Sequence, residues 1–163
     1  MITEITDDFR GAMRRLTTTV SVITSEHNGT RYGMTATAVT SVCAEPAALL
    51  VCINTASSLH VPLLASERFC VNMLQVDQHE ISTAFAGKLK GEQRFSAGDW
   101  RQSEEGLPFL FDAQANLFCS LEKSIEFGTH RVFIGGVHRV LISENISPLL
   151  YEDGKYARSV ALA

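Results

Sequence analysis

No apolar run in this chain approaches the roughly 20 residues that a bilayer-crossing helix needs, and residues 1–10 are acidic and polar where a signal peptide would be basic and then apolar. These absences predict a cytoplasmic protein with no membrane partner. Basic clusters are missing too. The 14 Lys and Arg are scattered, the formal net charge is -4 and the pI is near 5.7, which argues against nucleic acid as a partner. The four cysteines, Cys43, Cys52, Cys70 and Cys119, form no C-x-x-C pair and have no histidine at metal-ligand spacing. They read as reduced core residues, with a redox role as the alternative, and no metal is expected. Also absent are G-x-G-x-x-G, G-x-x-x-x-G-K-[ST], G-x-S-x-G and H-E-x-x-H. A nucleotide bound here would therefore use a surface other than the doubly wound dinucleotide fold.

What is present suits one domain spanning residues 1–163. At 45% hydrophobic and 20% charged, the composition is that of a globular protein with one core and some apolar surface left for a subunit interface. Thr6, Asp7 and Asp8 precede an apolar stripe at Phe9, Ala12, Met13 and Leu16, which predicts a short opening helix. From Thr18 the pattern turns β-branched, and His27-Asn28-Gly29-Thr30 supplies hairpin-turn chemistry before a second extended stretch over 32–42. Residues 47–53 and 69–74 read as buried strands, with helices predicted at 58–65 and 77–86. Residues 87–107, carrying the only Trp at Trp100, read as a long surface loop. Further strands are predicted at 113–118, 132–140 and 149–151, with a turn at Phe127-Gly128-Thr129-His130. Few helices and many strands of similar length favour a mainly β fold, a barrel with a few short helices.

Three constellations carry chemistry. In Gly33-Met34-Thr35-Ala36-Thr37-Ala38-Val39-Thr40-Ser41-Val42 the side chains are small or hydroxylated, so a flat ligand can approach the backbone; a half-exposed strand has the same composition. Asn54-Thr55-Ala56-Ser57-Ser58 follows a buried strand and opens a helix, offering hydroxyls and first amides to a phosphate; a plain N-cap at Ser57 or Ser58 is the alternative. Gly128-Thr129-His130 puts a histidine in a turn, where it is solvated, packed or in contact with a ligand. Arg94-Phe95, in the irregular segment, either clamps a phosphate and stacks on a ring or belongs to a solvated loop.

With these motifs in their order, residues 9–156 resemble the short-chain flavin reductases, the small components of two-component flavin-dependent monooxygenases, and most of all the 4-hydroxyphenylacetate 3-monooxygenase reductase type. The likeness rests on Phe9-Arg10-x-Ala12-Met13, Gly33-Met34-Thr35-Ala36-Thr37-Ala38, Val51-Cys52-Ile53-Asn54-x-x-Ser57, Phe69-Cys70-Val71-Asn72-x-Leu74, Phe85-Ala86-Gly87, Glu92-x-Arg94-Phe95, Gly128-Thr129-His130 and Pro148-Leu149-Leu150-Tyr151. The resemblance implies an FMN-binding split β-barrel of Greek-key type that forms a homodimer, with FMN or FAD at or near the subunit interface. It implies that Gly33, Met34, Thr35, Ala36 and Thr37, with Ser41 and Val42, lie against the isoalloxazine and ribityl chain. Asn54, Thr55, Ala56, Ser57 and Ser58 would hold the phosphate. Phe85, Ala86, Gly87, Arg94 and Phe95 would lie near the flavin tail and the dimer contact, and His130 beside the nicotinamide of NADH or NADPH, with Leu150 and Tyr151 close to the same dinucleotide.

The implied reaction passes hydride from the nicotinamide to the flavin, and the reduced flavin goes to a separate monooxygenase, in aromatic-compound metabolism. Such transfer needs rings stacked at roughly 3–3.5 Å with water excluded. That makes His130, the one catalytic candidate, a ring-positioning or proton-buffering group rather than a required general acid. Two other functions fit the same residues. One is a flavin-containing reductase of another acceptor, a cobalamin or a ferric chelate. The other is a non-catalytic barrel that binds flavin or haem, for which no paired axial ligands are evident.

Overall fold

The structure, a computed structural model, describes residues 2–163, the side chain of Ile2 excepted. Helix α1 (Ile2–Met13) begins before the predicted Thr6–Asp8 cap and stops at Met13, leaving Leu16 in the turn that follows. Strands β1 (Thr18–Thr19), β2 (Ser21–His27), β3 (Thr30–Ala36), β4 (Val39–Ala44) and β5 (Ala47–Asn54) lead to α2 (His60–Ser66). Strand β6 (Arg68–Met73), helix α3 (His79–Thr83) and the short β7 (Trp100–Gln102) and β8 (Pro108–Leu110) come next. The chain ends with β9 (Ala115–Phe127), β10 (His130–Ile142), β11 (Leu149–Glu152) and β12 (Lys155–Arg158). The mainly β reading holds. Among the described residues no helix is long and apolar enough to cross a membrane.

The main sheet is antiparallel throughout and ordered β3-β2-β6-β9-β10-β5-β4. Strands β3 and β4 stand at its two ends, yet only Thr37 and Ala38 separate them in the chain. Three Cα–Cα steps of about 3.8 Å span at most about 11 Å. A flat sheet of this order would hold its edges roughly 29 Å apart, six spacings of about 4.8 Å. The sheet must therefore curl until its edges nearly meet, and Thr37-Ala38 crosses the slit that remains. There Val39 N–H donates to Thr37 O (2.9 Å) and Cys52 N–H to Ala38 O (3.1 Å). The single extended stretch predicted over 32–42 is thus two strands on opposite barrel edges.

Local chemistry explains the hairpins. Asn28 and Gly29 both take positive φ (53° and 77°), the two-residue turn whose twist matches the β2–β3 ribbon. Gly128 (φ 57°) serves the β9–β10 turn. Ile23, Val51, Ile53, Phe69, Val71 and Phe133 fill the barrel interior with Leu59, just before α2, and Leu63, on α2, all of them wholly buried. A second apolar layer holds Val20, Val22, Leu74, Ile81, Phe85, Phe95 and Leu149. Because β2 feeds Ile23 into one layer and Val22 into the other, its first five residues are buried, where a surface strand would alternate.

Two predictions need correction here. Residues 87–107 are not simply a surface loop. A 3-10 turn over Gly91–Ser96 and strand β7 bring Phe95 and Trp100 against Phe85, with ring centroids 5.0–5.1 Å apart. Aromatic burial outweighs the charged local composition. Of the four cysteines, Cys70 and Cys119 are core residues, Cys52 is half-buried and Cys43 is exposed. Burial pushes the Cys119 thiol up to about 12 and raises that of Cys70 as well, so both stay protonated and unreactive. The fully buried Asn72 joins three elements. Its Nδ2 donates to Val22 O (2.9 Å), and its Oδ1 accepts from Leu110 N–H and Asn116 Nδ2 (2.9 Å each).

Candidate functional site

The predicted residues divide between clefts. Met34 and Thr35 on β3, Ala56, Ser57 and Ser58 after β5, Phe85, Ala86 and Gly87 after α3, and Arg94 line one cleft of about 560 Å³ together with Lys90 and Gly91. Thr37 and Tyr151 line a second, about 880 Å³, between α1 (Phe9, Arg10, Met13), the slit residues Ala38 and Val39, and Leu50. Ser41 lines a third, about 470 Å³, with Ala47 and Val137, and Val42 is exposed beside it.

The first cleft is held together by hydrogen bonds between its own walls. Thr35 Oγ1 donates to Ser82 O (2.6 Å), which joins β3 to α3. Residues Ala84–Lys88 then make a π-type turn ending at Gly87, whose φ of 110° lets the chain leave the helix. The Arg94 guanidinium donates to Leu89 O (3.0 Å), Gly33 O (2.7 Å) and Ser58 Oγ (3.2 Å), so one side chain ties three walls together. A salt bridge between Arg31 and Glu92 joins β3 to the 91–96 turn that carries Arg94.

The small-residue run is only partly explained by a ligand. Gly33 is buried, and a Cβ built there would stand 2.7 Å from Phe85 Cε1, so the chain's own aromatic ring occupies the space the glycine leaves. Ala36 is part of the barrel core. The Phe95 ring is buried among Phe85 and Trp100 and lines none of these clefts. Met34 and Thr35 are the members of this group that face the first cleft.

The predicted phosphate segment also differs in detail. Helix α2 begins at His60, two residues later than expected, and the amides of Ala56 and Ser57 donate to Asn54 Oδ1 (2.9 Å) and Asn54 O (3.0 Å). With the Ala56 and Ser57 amides occupied, hydroxyls and cations are the remaining side-chain donors toward the cleft. Ser57 Oγ is buried and has no hydrogen-bond partner among the described residues. A buried hydroxyl without a partner calls for an explanation, and a phosphate oxygen supplies the acceptor it lacks. Arg94 beside Ser58, and Lys90 across the cleft, add the charge. These residues fit a flavin phosphate. Lys90 and Gly91 were not foreseen; the only hint is the K-L-K-G run inside a segment read as loop.

His130 opens β10, paired across the sheet with Asn54 on one side and Phe127 on the other. Its ring is exposed, and Nδ1 lies 2.9 Å from Thr129 Oγ1. Thr55 N–H donates to Thr129 O (3.0 Å), which sets the histidine turn directly against the phosphate segment. Leu150 pairs with Thr19 and Ala157 and is half-buried, and Tyr151 stacks edge-on against Tyr156 at 5.6 Å.

Residues 13–159 match the family described as the flavin reductase like domain. The chain belongs to that family. The reductase component of an FADH(2)-dependent resorcinol hydroxylase from a Rhizobium strain is 45% identical over 151 residues, 91% of this chain and 84% of that protein. The NADH-dependent FMN reductase RutF of Methylorubrum populi is 37% identical over 148 residues, 91% of this chain and 73% of its own. Among solved structures, the NADH:FAD oxidoreductase SgcE6 of Streptomyces globisporus, in complex with NAD and FAD fragments, superimposes with a TM-score of 0.87 at 29% identity, covering 93% of this chain and 91% of that one. The curled sheet with its slit is the split barrel of flavin reductases.

Proposed function

We propose that this chain is an NADH:flavin oxidoreductase, with NADPH as the alternative donor, that reduces FMN or FAD and supplies a separate monooxygenase. The observation that carries this reading is Ser57 Oγ, without a partner among the described residues and buried in a cleft whose other polar side chains are Thr35, Ser58, Lys90 and Arg94. A bound flavin supplies the hydride acceptor; the chain supplies placement. Met34 and Thr35 form one wall, the 84–88 turn the other, and Ser57, Ser58 and Arg94 take the phosphate. Thr37, at the slit, and Ser41 and Val42, farther along β4 at the third cleft, border the flavin rings from the other side, and Leu150 and Tyr151 border the dinucleotide. His130, exposed and turned toward Thr129, orients the nicotinamide and need not move a proton in the hydride step.

The proposal includes a homodimer of one-domain subunits in the cytoplasm. On β5 the alternate residues Leu49, Val51 and Ile53 are buried, while Leu50 and Cys52 are apolar and only half-covered. The register sets Ile125, Val132 and Cys52 in one row of the outer face and Phe127, His130 and Asn54 in the next. Phe127 is 84% exposed and Ile125 61%. A face this apolar suits a second copy.

The test is NADH oxidation at 340 nm by the purified protein in air, with and without FMN or FAD. Saturation with added flavin is expected. No oxidation with either flavin and either nicotinamide would leave the non-catalytic barrel as the better account. Replacing His130 with Ala is expected to raise KM for NADH more than it lowers kcat; equal loss in kcat and kcat/KM would make His130 a transition-state group instead.

A further inference from the structure

Arg131, the residue after His130, lies with its guanidinium against β9, β10 and α2 at once. Its Nε donates to His60 Nε2 (3.2 Å), Nη1 to Ser124 Oγ (3.1 Å) and Nη2 to Glu126 Oε2 (2.5 Å). The side chain is only 21% exposed. His60 is buried at the start of α2 and edge-on to Phe133 at 6.0 Å; accepting from Arg131 at Nε2 places its ring proton on Nδ1. At the other end of the same segment, Thr55 donates through N–H (3.0 Å) and Oγ1 (3.2 Å) to Thr129 O. The stretch from Thr55 to His60 is thus fastened at both ends to the two residues that flank His130.

We propose that Arg131 is a positioning residue, which holds His60 against β10 and so fixes the distance between the phosphate-holding serines and the histidine turn. This rests on the assignment of the flavin and nicotinamide sites above. Without Arg131 the Thr129 attachment and the core packing of Leu59 and Leu63 remain, but the start of α2 loses its polar tie to β10 and can shift along it. Ser57 and Ser58 would then lose their placement relative to His130, and both substrates would feel the change though Arg131 touches neither.

The experiment compares Arg131→Gln, His60→Leu and His60→Gln with the unmodified protein. It measures the dissociation constant for oxidised FMN by flavin fluorescence, KM for NADH, kcat and Tm. Arg131→Gln and His60→Leu are each expected to raise the flavin dissociation constant and KM for NADH together, by about tenfold, with kcat changed less than twofold. Tm should fall by only about 2–4 °C. His60→Gln, whose amide oxygen can still accept from Arg131, should recover most of the affinity lost in His60→Leu. A lowered Tm with both affinities unchanged would make the contact purely structural and overturn the role. So would His60→Gln behaving like His60→Leu while both fold. If one variant does not fold, the other carries the same comparison. An unmodified protein that neither binds FMN nor oxidises NADH would remove the site and this role with it, whereas an active protein indifferent to Arg131→Gln would remove the role alone.

Discussion

The two larger clefts differ in how much of their wall one chain supplies. Around Ser57 the walls come from β3, the turn after α3 and the 91–96 turn, and Arg94 and Thr35 bond them to one another. Under α1 the wall is a helix whose apolar residues face solvent: Phe9 is 60% and Met13 47% exposed, with Leu16 exposed beyond them. Polar cross-bonds tie the walls of the first cleft together within the subunit. The second is as open as the first but is bounded by exposed apolar side chains of α1, which suits a surface that a second copy would cover. The division of the expected flavin and dinucleotide residues between the two clefts then has a physical reason. On the proposed reading the phosphate end would be built within one chain, while the second cleft, which Leu50 joins to the proposed β5 face, would border a second copy.

Charging α1 should break that contrast most severely. Phe9→Glu combined with Met13→Glu would set two carboxylates against an apolar partner. Burial of an unpaired charge costs several kcal/mol, so the dimer dissociation constant is expected to rise at least about 100-fold. Sedimentation velocity at micromolar protein checks it. A monomeric unmodified protein, or a charged variant that stays dimeric, would return α1 to the role of a solvent-facing helix.

Gly33→Ala sharpens the other side of the contrast. Its Cβ would meet Phe85 at 2.7–2.9 Å, and Phe85 cannot retreat because Phe95 and Trp100 pack against it. Overpacking of this kind costs about 1–3 kcal/mol. Thermal unfolding should show a fall of about 2–10 °C, and weaker FMN binding should accompany it because Phe85 forms part of the cleft wall. Unchanged Tm and affinity would mean that the 84–88 turn adapts freely.

Much of this contrast was legible in the sequence, and the reasons differ by element. Asn28-Gly29 announced a hairpin because few other residues accept two successive positive φ angles. Residues 54–58 and the histidine turn were legible because hydroxyls and a turn histidine stand out between apolar strands. The break at Thr37-Ala38 was not, since nothing in G-M-T-A-T-A-V-T-S-V distinguishes one long strand from two that meet across a closing barrel. Closure is a property of the whole sheet order. Gly33 pointed to a close neighbour without saying whether it was a ligand or Phe85, 52 positions later in the chain. Phe95 resembled a stacking residue and is core, because burial depends on Phe85 and Trp100 folding back over it. Arg131 and His60 gave no local signal at all, their contact being set by how α2 sits against β10.

Ser57→Ala has the smallest effect, and it separates binding from folding most cleanly. Removing a hydroxyl that bonds nothing among the described residues should cost no hydrogen bond, and deleting a buried polar atom without a partner is neutral or mildly stabilising. Tm should therefore stay level or rise slightly. If the hydroxyl serves the flavin phosphate, the dissociation constant for FMN should nonetheless rise about five- to tenfold, while riboflavin, which has no phosphate, should bind the variant and the unmodified protein equally. A loss of stability would mean that Ser57 Oγ finds an internal partner in solution. Equal weakening of FMN and riboflavin would move Ser57 from the phosphate to the ring end of the cleft, and with it the polarity of the bound flavin.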